Sequence, residues 1–207
     1  TSQPEKTNHL WSWVKPPEHF FDSPFNKFER AAEAADLMTS CIERKWSQGA
    51  VILFIVAGEA EVQKMKDALT FSEALKHRNK KIETLSGDTT VDQRNQILAQ
   101  MNNQDCKPGW PAYFLVAKAG VAEDSWSPNV NGLIDLDDDV YRDAHDHISS
   151  QRASKPAKEQ RLGRVARHRD GVVLNIMDKT DKPDADPSEE DVDWVMPHTD
   201  RLRSVLV

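Results

Sequence analysis

Three arginines follow each other at intervals of three residues: Arg161, Arg164 and Arg167. On an α-helix this spacing places the guanidinium groups on one face. Like charges on one face repel each other, so the arrangement is favourable where an anion binds. A guanidinium group suits a phosphate because its planar fork donates two parallel hydrogen bonds and stays charged at ordinary pH. A solvated basic helix face is the alternative, but Gln160 before the arginines and Gly163 among them make the pattern more specific.

The segment QRLGRVAR, residues 160–167, resembles motif VI of the superfamily 2 helicases, whose pattern is Gln-Arg-x-Gly-Arg-x-Gly-Arg. The match is complete except at Ala166, where the family usually has glycine. The longer run 160–171 is most similar to viral DExH helicases of the potyvirus cylindrical-inclusion and flavivirus non-structural types, and next to the cellular DEAH-box helicases. The chain thus resembles the second, C-terminal RecA-like domain of such a helicase.

The resemblance implies a role for each member of this motif. Arg164 and Arg167 would act as arginine fingers that reach the ATP γ-phosphate, and Gln160 would help to place the attacking water. Cationic groups aimed at a transferring phosphoryl group stabilise the charge that spreads over its oxygens. The remaining motif residues, Arg161 and Gly163, are expected beside the nucleotide.

The segments 114–124 and 129–135 resemble motif V of the same family, which touches both the nucleotide and the nucleic acid. Lys118 stands where the family has a hydroxyl residue, and we expect it to make a charge contact with a nucleic-acid phosphate. Gly120, which permits a close backbone approach, and Glu123 are expected beside the nucleotide. The departure from the usual motif leaves open a domain that has lost its coupling to ATP.

A third segment, residues 85–87, resembles the Leu-His-Gly segment of the family, with a serine in place of histidine. In the relatives the turn after this strand lies beside the nucleic-acid backbone. Backbone amides, hydroxyl groups and a helix N-terminus all suit a phosphate. An ordinary capped turn is the alternative interpretation. The nucleic-acid contacts expected in this turn are Ser86, Gly87, Thr89 and Thr90.

The 207 residues contain neither a Gly-x-x-x-x-Gly-Lys-Ser/Thr phosphate loop nor an Asp-Glu-x-His motif. In this superfamily both belong to the first RecA-like domain, which holds the phosphates and most of the Mg²⁺ coordination. The resemblance therefore implies ATP and Mg²⁺ as cofactors, an N-terminal RecA-like domain as partner, and single-stranded RNA as the nucleic acid. Without that partner we expect no significant ATP hydrolysis. A helicase-like scaffold that binds protein or RNA without hydrolysis is the alternative function.

Alternating strands and helices must position these motifs. Apolar residues at helical spacing predict a helix over 25–46, stopped by Gly49, and the apolar run 50–56 predicts a strand buried on both faces. A capping box from Thr90 to Gln93 predicts the start of another helix. The pattern indicates an α/β class, a RecA-like three-layer domain with a mainly parallel sheet flanked by helices. The other predicted helices cover 59–76 and the segment from Pro156, and the other strands cover 82–85, 113–117, 133–136 and 172–177.

We expect three regions: an extended leading segment over 1–27, the RecA-like domain over 28–178, and an acidic linker and tail over 179–207. A net charge of −7 argues against capture of nucleic acid by the whole surface but permits a local basic groove. The aromatic residues expected to anchor the leading segment to the core, with stacking on bases as the alternative, are Trp11, Trp13, Phe20 and Phe21.

The composition gives two further expectations. Asp and His residues over 135–147 include oxygen ligands that would suit Mg²⁺ or Mn²⁺, but we interpret the segment as a solvated acidic loop and predict no metal site. Cys41 and Cys106 lack companion ligands, and neither a signal peptide nor an apolar run of about 18 residues occurs. We therefore expect no membrane span and an intracellular, cytoplasmic protein, in the host cytoplasm if viral.

Overall fold

The computed structural model describes residues 10–13, 27–103, 111–124, 130–136, 138–142, 145, 148–152, 160–165 and 170–175. The strands in this part of the chain are β1 (Leu10–Trp13), β2 (Val51–Val56), β3 (Lys80–Leu85), β4 (Ala112–Lys118), β5 (Gly132–Asp135), β6 (Asp138–Arg142), β7 (Ile148–Arg152) and β8 (Gly171–Asn175). The helices are α1 (Lys27–Trp46), α2 (Glu59–Phe71), α3 (Val91–Asn103) and α4 (Ala119–Asp124), with a short 3₁₀ helix at Glu73–Leu75.

Six of these strands form one parallel sheet in the order β1-β8-β5-β2-β4-β3. Parallel neighbours require crossover connections. Helix α2 lies between β2 and β3 in the chain, and α3 lies between β3 and β4. The prediction of an α/β domain with a mainly parallel sheet flanked by helices is confirmed.

The buried side chains form two cores, one on each face of the sheet. Strand β2 lies in the interior of the sheet and is buried along its whole length, as its apolar sequence predicts. Its even-numbered residues pack with α1 and α2 in the first core. Its odd-numbered residues pack in the second core, which contains Met101 of α3 and Val165. This alternation follows from the two-residue period of a strand.

Helix α1 packs on the first face through a stripe of alanines, with Met38 and Ile42 among them. The helix confirms the prediction from its apolar spacing. It ends at Trp46, and Ser47 then adopts a φ of 52° while its amide donates to the Glu43 carbonyl at 3.1 Å. A residue in the left-handed region is a common helix terminator, so Ser47 has the role that the sequence analysis gave to Gly49.

The segment after α2 differs from the prediction of one continuous helix to residue 76. Helix α2 ends at Phe71, Ser72 is extended, and the 3₁₀ turn follows. Arg78 then ties this segment to α1, with its Nε 2.9 Å from Asp36 Oδ1 and its Nη1 3.3 Å from Glu43 Oε1. These contacts come from residues far apart in the chain, which helical periodicity does not reveal.

The capping box at the start of α3 is confirmed. The Thr90 amide donates to Gln93 Oε1 at 3.0 Å, and the Gln93 amide donates to Thr90 Oγ1 at 3.2 Å. Two amides that the first helical turn leaves without backbone partners are thereby satisfied.

Two other elements differ from the sequence expectations. Strand β1 belongs to the leading segment but pairs in parallel with β8, so this part of the segment joins the sheet. The region expected as an acidic loop contains β6, which pairs antiparallel with β7, directly after that region, in a separate sheet of two strands. All three are short strands that pair with a neighbour, and charged residues obscure the alternation in β6. Phe20, Phe21 and the predicted tail over 179–207 lie outside the described residues.

Candidate functional site

The carboxyl ends of the parallel strands meet at one edge of the sheet, which we call the carboxyl edge. Lys118 ends β4 beside Val56 of β2, and Asp135 ends β5 beside Ile55 of β2. Leu85 ends β3 immediately before the turn expected to contact nucleic acid. Ligands in open α/β sheets bind outside this edge. The sheet thus brings the segments resembling motif V and Leu-His-Gly to one place.

The turn after β3 is stabilised by its own hydroxyl groups. The Ser86 amide donates to Thr89 Oγ1 at 2.9 Å, the two hydroxyl oxygens lie 3.3 Å apart, and the Thr89 amide donates to the Ser86 carbonyl at 3.2 Å. Thr90 serves as the helix cap. The structure therefore contains the ordinary capped turn, and the side-chain hydroxyls that were expected at nucleic acid take part in it.

Gly87 and Lys118 meet at a third residue, Glu59, which the sequence analysis did not select. Glu59 begins α2 directly after β2, and its Oε1 accepts a hydrogen bond from the Gly87 amide at 2.6 Å. The same oxygen lies 3.5 Å from Lys118 Nζ. A Cβ on Gly87 would lie 2.9 Å from this oxygen, so the glycine permits the close approach. A glycine and an acid immediately after a buried strand were the available signal for Glu59.

The first arginine of the segment resembling motif VI points into the interior. Arg161 Nη1 donates to Asp135 Oδ1 at 2.9 Å, and the two side chains are 0% and 3% exposed. A buried charge must be paired because its removal from water is costly. The ion pair therefore fixes this segment to the end of β5.

Of the three arginines expected to share one helix face, the structure describes Arg161 and Arg164. Residues 160–162 are helical, but the chain then turns, with the Arg164 amide donating to the Arg161 carbonyl at 3.0 Å. Val165 is fully buried and anchors the end of this turn. Arg161 is fully buried whereas Arg164 is half-buried, so the two arginine side chains lie in different surroundings.

The remaining predicted residues occupy different settings. Gln160 is exposed, whereas Gly163 and Arg164 are half-buried. Gly120 is exposed on α4, with open space where a Cβ would be. Arg167 lies outside the described residues, and Glu123 belongs to α4 but its side chain is not described.

The titratable groups with shifted pKa lie elsewhere in the molecule. Burial raises the pKa of the Tyr113 hydroxyl, and the negative charge of Glu83 raises it further. Burial also raises the pKa of the Cys41 thiol, with partial compensation by Lys45 and Arg44. Tyr113 lies near the start of β4 and Cys41 on α1, so neither belongs to the carboxyl edge.

In the ranges that the structure describes, no group of three or more His, Cys, Asp or Glu side chains is arranged to hold a metal ion. Among the helices of the same ranges, none is long and apolar enough to cross a membrane.

Comparisons with known proteins give structural likenesses only. No protein-family profile matches the sequence, and no curated protein matches it. A structure of the Escherichia coli DExH-box NTPase HrpB matches with a TM-score of 0.56 and 18% identity, covering 84% of this chain and 20% of that one. A second structure, of the Escherichia coli DEAH/RHA helicase HrpB, gives a TM-score of 0.57 and 19% identity, covering 85% and 21%. The chain thus spans about a fifth of HrpB and has a RecA-like α/β fold of the kind found in that helicase.

Proposed function

We propose that this chain is the second, C-terminal RecA-like half of an ATP-dependent RNA helicase, of the viral or DEAH type that its motifs resemble. The observation that supports this most directly is the buried Asp135–Arg161 pair at 2.9 Å. It holds the segment resembling motif VI against the end of β5, beside the edge where ligands bind in such sheets. The same segment carries Gln160 and Arg164 and continues to Arg167.

In this proposal Gln160, Arg164 and Arg167 act on ATP bound between this domain and an N-terminal RecA-like partner. The partner supplies the phosphate loop and holds Mg²⁺, which offsets the charge of the β- and γ-phosphates. Gly120, Glu123 and Gly163 line the nucleotide from this side. Arg161 acts as a positioning residue because its guanidinium is paired in the interior.

Single-stranded RNA in this proposal runs along the carboxyl edge, contacting the Gly87 amide and Lys118. Contacts with the RNA backbone neutralise phosphates and release counterions, so we expect binding that weakens with salt and tolerates different sequences. The resemblance also supports a cytoplasmic location, in the host cell if the protein is viral.

Steady-state ATPase, measured with the phosphate-loop domain present in the same chain or added separately, tests the proposal. We expect RNA-stimulated turnover that falls by about 10³ or more in Arg167→Ala, the scale of an arginine finger. Arg44→Ala, which removes an exposed arginine from the last turn of α1, is the matched control and should retain activity. Turnover indifferent to Arg167 would contradict the proposal.

The chain without its partner should show no significant ATPase, because it contains no phosphate loop. Robust ATP turnover by this chain alone that is lost in Arg167→Ala would contradict the assignment of the phosphate loop to the partner domain.

A scaffold that binds RNA or protein without hydrolysis is the second candidate. Lys118 at the end of β4, in place of a hydroxyl residue, favours it, as does Ala166 in the segment resembling motif VI. RNA binding without ATP turnover in the presence of the partner domain would support this candidate.

A further inference from the structure

The Glu59 carboxylate lies between two groups that donate to anions. Its Oε1 is 2.6 Å from the Gly87 nitrogen and 3.5 Å from Lys118 Nζ. The three residues come from the start of α2, the turn after β3 and the end of β4. Three elements of the carboxyl edge therefore converge on one oxygen atom.

A backbone N–H and an ammonium group aimed at one oxygen also suit a phosphate. Charge-assisted hydrogen bonds of this kind serve carboxylates and phosphates alike. The Gly87 amide belongs to a turn held by hydroxyl contacts, and Lys118 ends a strand paired on both sides. The Gly87 amide and the backbone of Lys118 are thus anchored in the fold, whereas the Glu59 carboxylate and the Lys118 ammonium are carried on side chains that can rotate.

We propose that Glu59 occupies the place of an RNA phosphate and competes with RNA for Gly87 and Lys118. The inference rests on the proposed function, since it names a residue that sets the affinity of the same RNA site. The side chains of Lys118 and Glu59 are 36% and 44% exposed, and exposed ion pairs are weak. A phosphate can therefore displace the carboxylate, but it must do so against a negative charge.

An acid in the first helical turn also has a structural interpretation, because it interacts favourably with the helix dipole. Glu61 lies in the same first turn and carries the same charge. Glu61→Gln therefore matches Glu59→Gln in charge and helix position, and only Glu59 contacts Gly87 and Lys118 among the contacts found for these two acids.

Fluorescence anisotropy with a labelled single-stranded oligouridylate tests the inference. At low salt we expect Glu59→Gln to bind up to about fivefold more tightly than the unsubstituted protein, the scale of one exposed charge contact. Glu61→Gln should change affinity much less. The gain should shrink as salt rises, because salt screens an exposed charge contact. Thermal melts establish that each variant is folded.

Lys118→Ala in the Glu59→Gln background should remove the gain, because the freed cation causes it. A gain that persists without Lys118, or equal gains in both Glu→Gln variants, would overturn the inference and leave the proposed function standing. Equal affinity of Glu59→Gln and the unsubstituted protein for RNA would also overturn the inference and leave the proposed function standing. RNA binding by Glu59→Gln but not by the unsubstituted protein would support the inference. If no variant binds RNA, the RNA-binding part of the proposed function fails and the inference fails with it.

The Gly87 amide gives a second readout by NMR. Glu59→Gln and added oligouridylate should both shift its resonance, since each changes the acceptor at that N–H. An amide that RNA leaves unmoved would contradict the competition even if the affinities changed.

Discussion

The Asp135–Arg161 pair shows how one arginine of a charged motif can serve the interior. Its two side chains are almost completely buried, and the guanidinium and carboxylate meet at 2.9 Å. The attraction between them offsets the cost of removing both from water only while both are present. The pair therefore fixes position more than it adds to stability, and it fixes the segment that carries Arg164.

Replacing Arg161 by methionine should be strongly destabilising. Asp135 would remain buried without the Arg161 guanidinium, so we expect Arg161→Met to lower the free energy of unfolding by about 3–5 kcal/mol. Urea denaturation followed by circular dichroism measures the loss. Asp135→Leu combined with Arg161→Met should recover much of it, since no buried charge remains. Arg164→Met, at the half-buried arginine of the same segment, is the comparison. An Arg161→Met variant that is as stable as Arg164→Met would contradict this account.

Tyr113 should make the molecule sensitive to alkali. Its ring is buried, and the raised pKa means that the hydroxyl stays protonated in the fold above the ordinary value of 10.0. The unfolded chain ionises near that value, so the stabilisation is complete below about pH 10 and is lost as the pH rises further, by up to about 1.4 kcal/mol per pH unit. Above that pH, Tyr113→Phe should lose less stability than the unsubstituted protein in urea titrations.

Near neutral pH the same substitution should have little effect. Among the described residues no group accepts from or donates to the Tyr113 hydroxyl. Its removal therefore leaves no partner unsatisfied, and we expect a change within about 1 kcal/mol. A larger loss at neutral pH would show that the hydroxyl has a partner.

At the scale of elements, α1 approaches the sheet closely at Gly132. A Cβ on this glycine of β5 would lie 2.8 Å from Met38 Sδ and 2.9 Å from Ile52 Cγ1. Gly132→Ala should therefore force the helix or the strand to shift and cost about 1–3 kcal/mol, as overpacked cores do. Gly120→Ala on α4 is the control, because nothing lies within 4 Å of its Cβ. Equal stability of the two variants would contradict the packing argument.

The elements that could be predicted are those specified locally. The apolar run of β2 and the reciprocal contacts of Thr90 and Gln93 need only neighbouring residues, and both are confirmed. Strands β1, β6 and β7 depend on pairing with a partner strand, which no short window of sequence contains.

The candidate site likewise has features that could be predicted from the sequence and features that could not. The topology of a parallel sheet predicts that the segments after β3 and β4 meet at one edge. The Asp135–Arg161 and Glu59–Gly87 contacts join residues 26 and 28 positions apart. Side-chain direction across such distances depends on packing, so the sequence resemblance could assign Arg161 a nucleotide contact but could not show that it turns inward.

At the scale of the whole molecule, the two outermost strands of the six-stranded sheet differ in chemistry. One outermost strand is β3, where Lys80, Lys81 and Glu83 place charges along the strand. Charged side chains, lysine above all, discourage a foreign strand from pairing at an edge. The other outermost strand is β1, and next to it in the sheet lies β8 with the buried residues Val172, Val173 and Leu174.

Strand β1 covers the backbone groups of β8 on this side of the sheet. A chain beginning at Lys27 would leave the backbone of β8 unpaired along an apolar strand, which is a template for pairing between molecules. We expect this shortened chain to form more dimers and larger aggregates in size-exclusion chromatography than the 207-residue chain, in which β8 is paired on both sides. A charged substitution such as Val173→Lys cannot be used to prevent this aggregation, because Val173 is buried and the lysine would unfold the shortened chain. An added synthetic peptide of residues 8–15, which contains β1, should instead restore the monomer. A shortened chain that remains monomeric would show that pairing of β8 with β1 is not needed to prevent self-association.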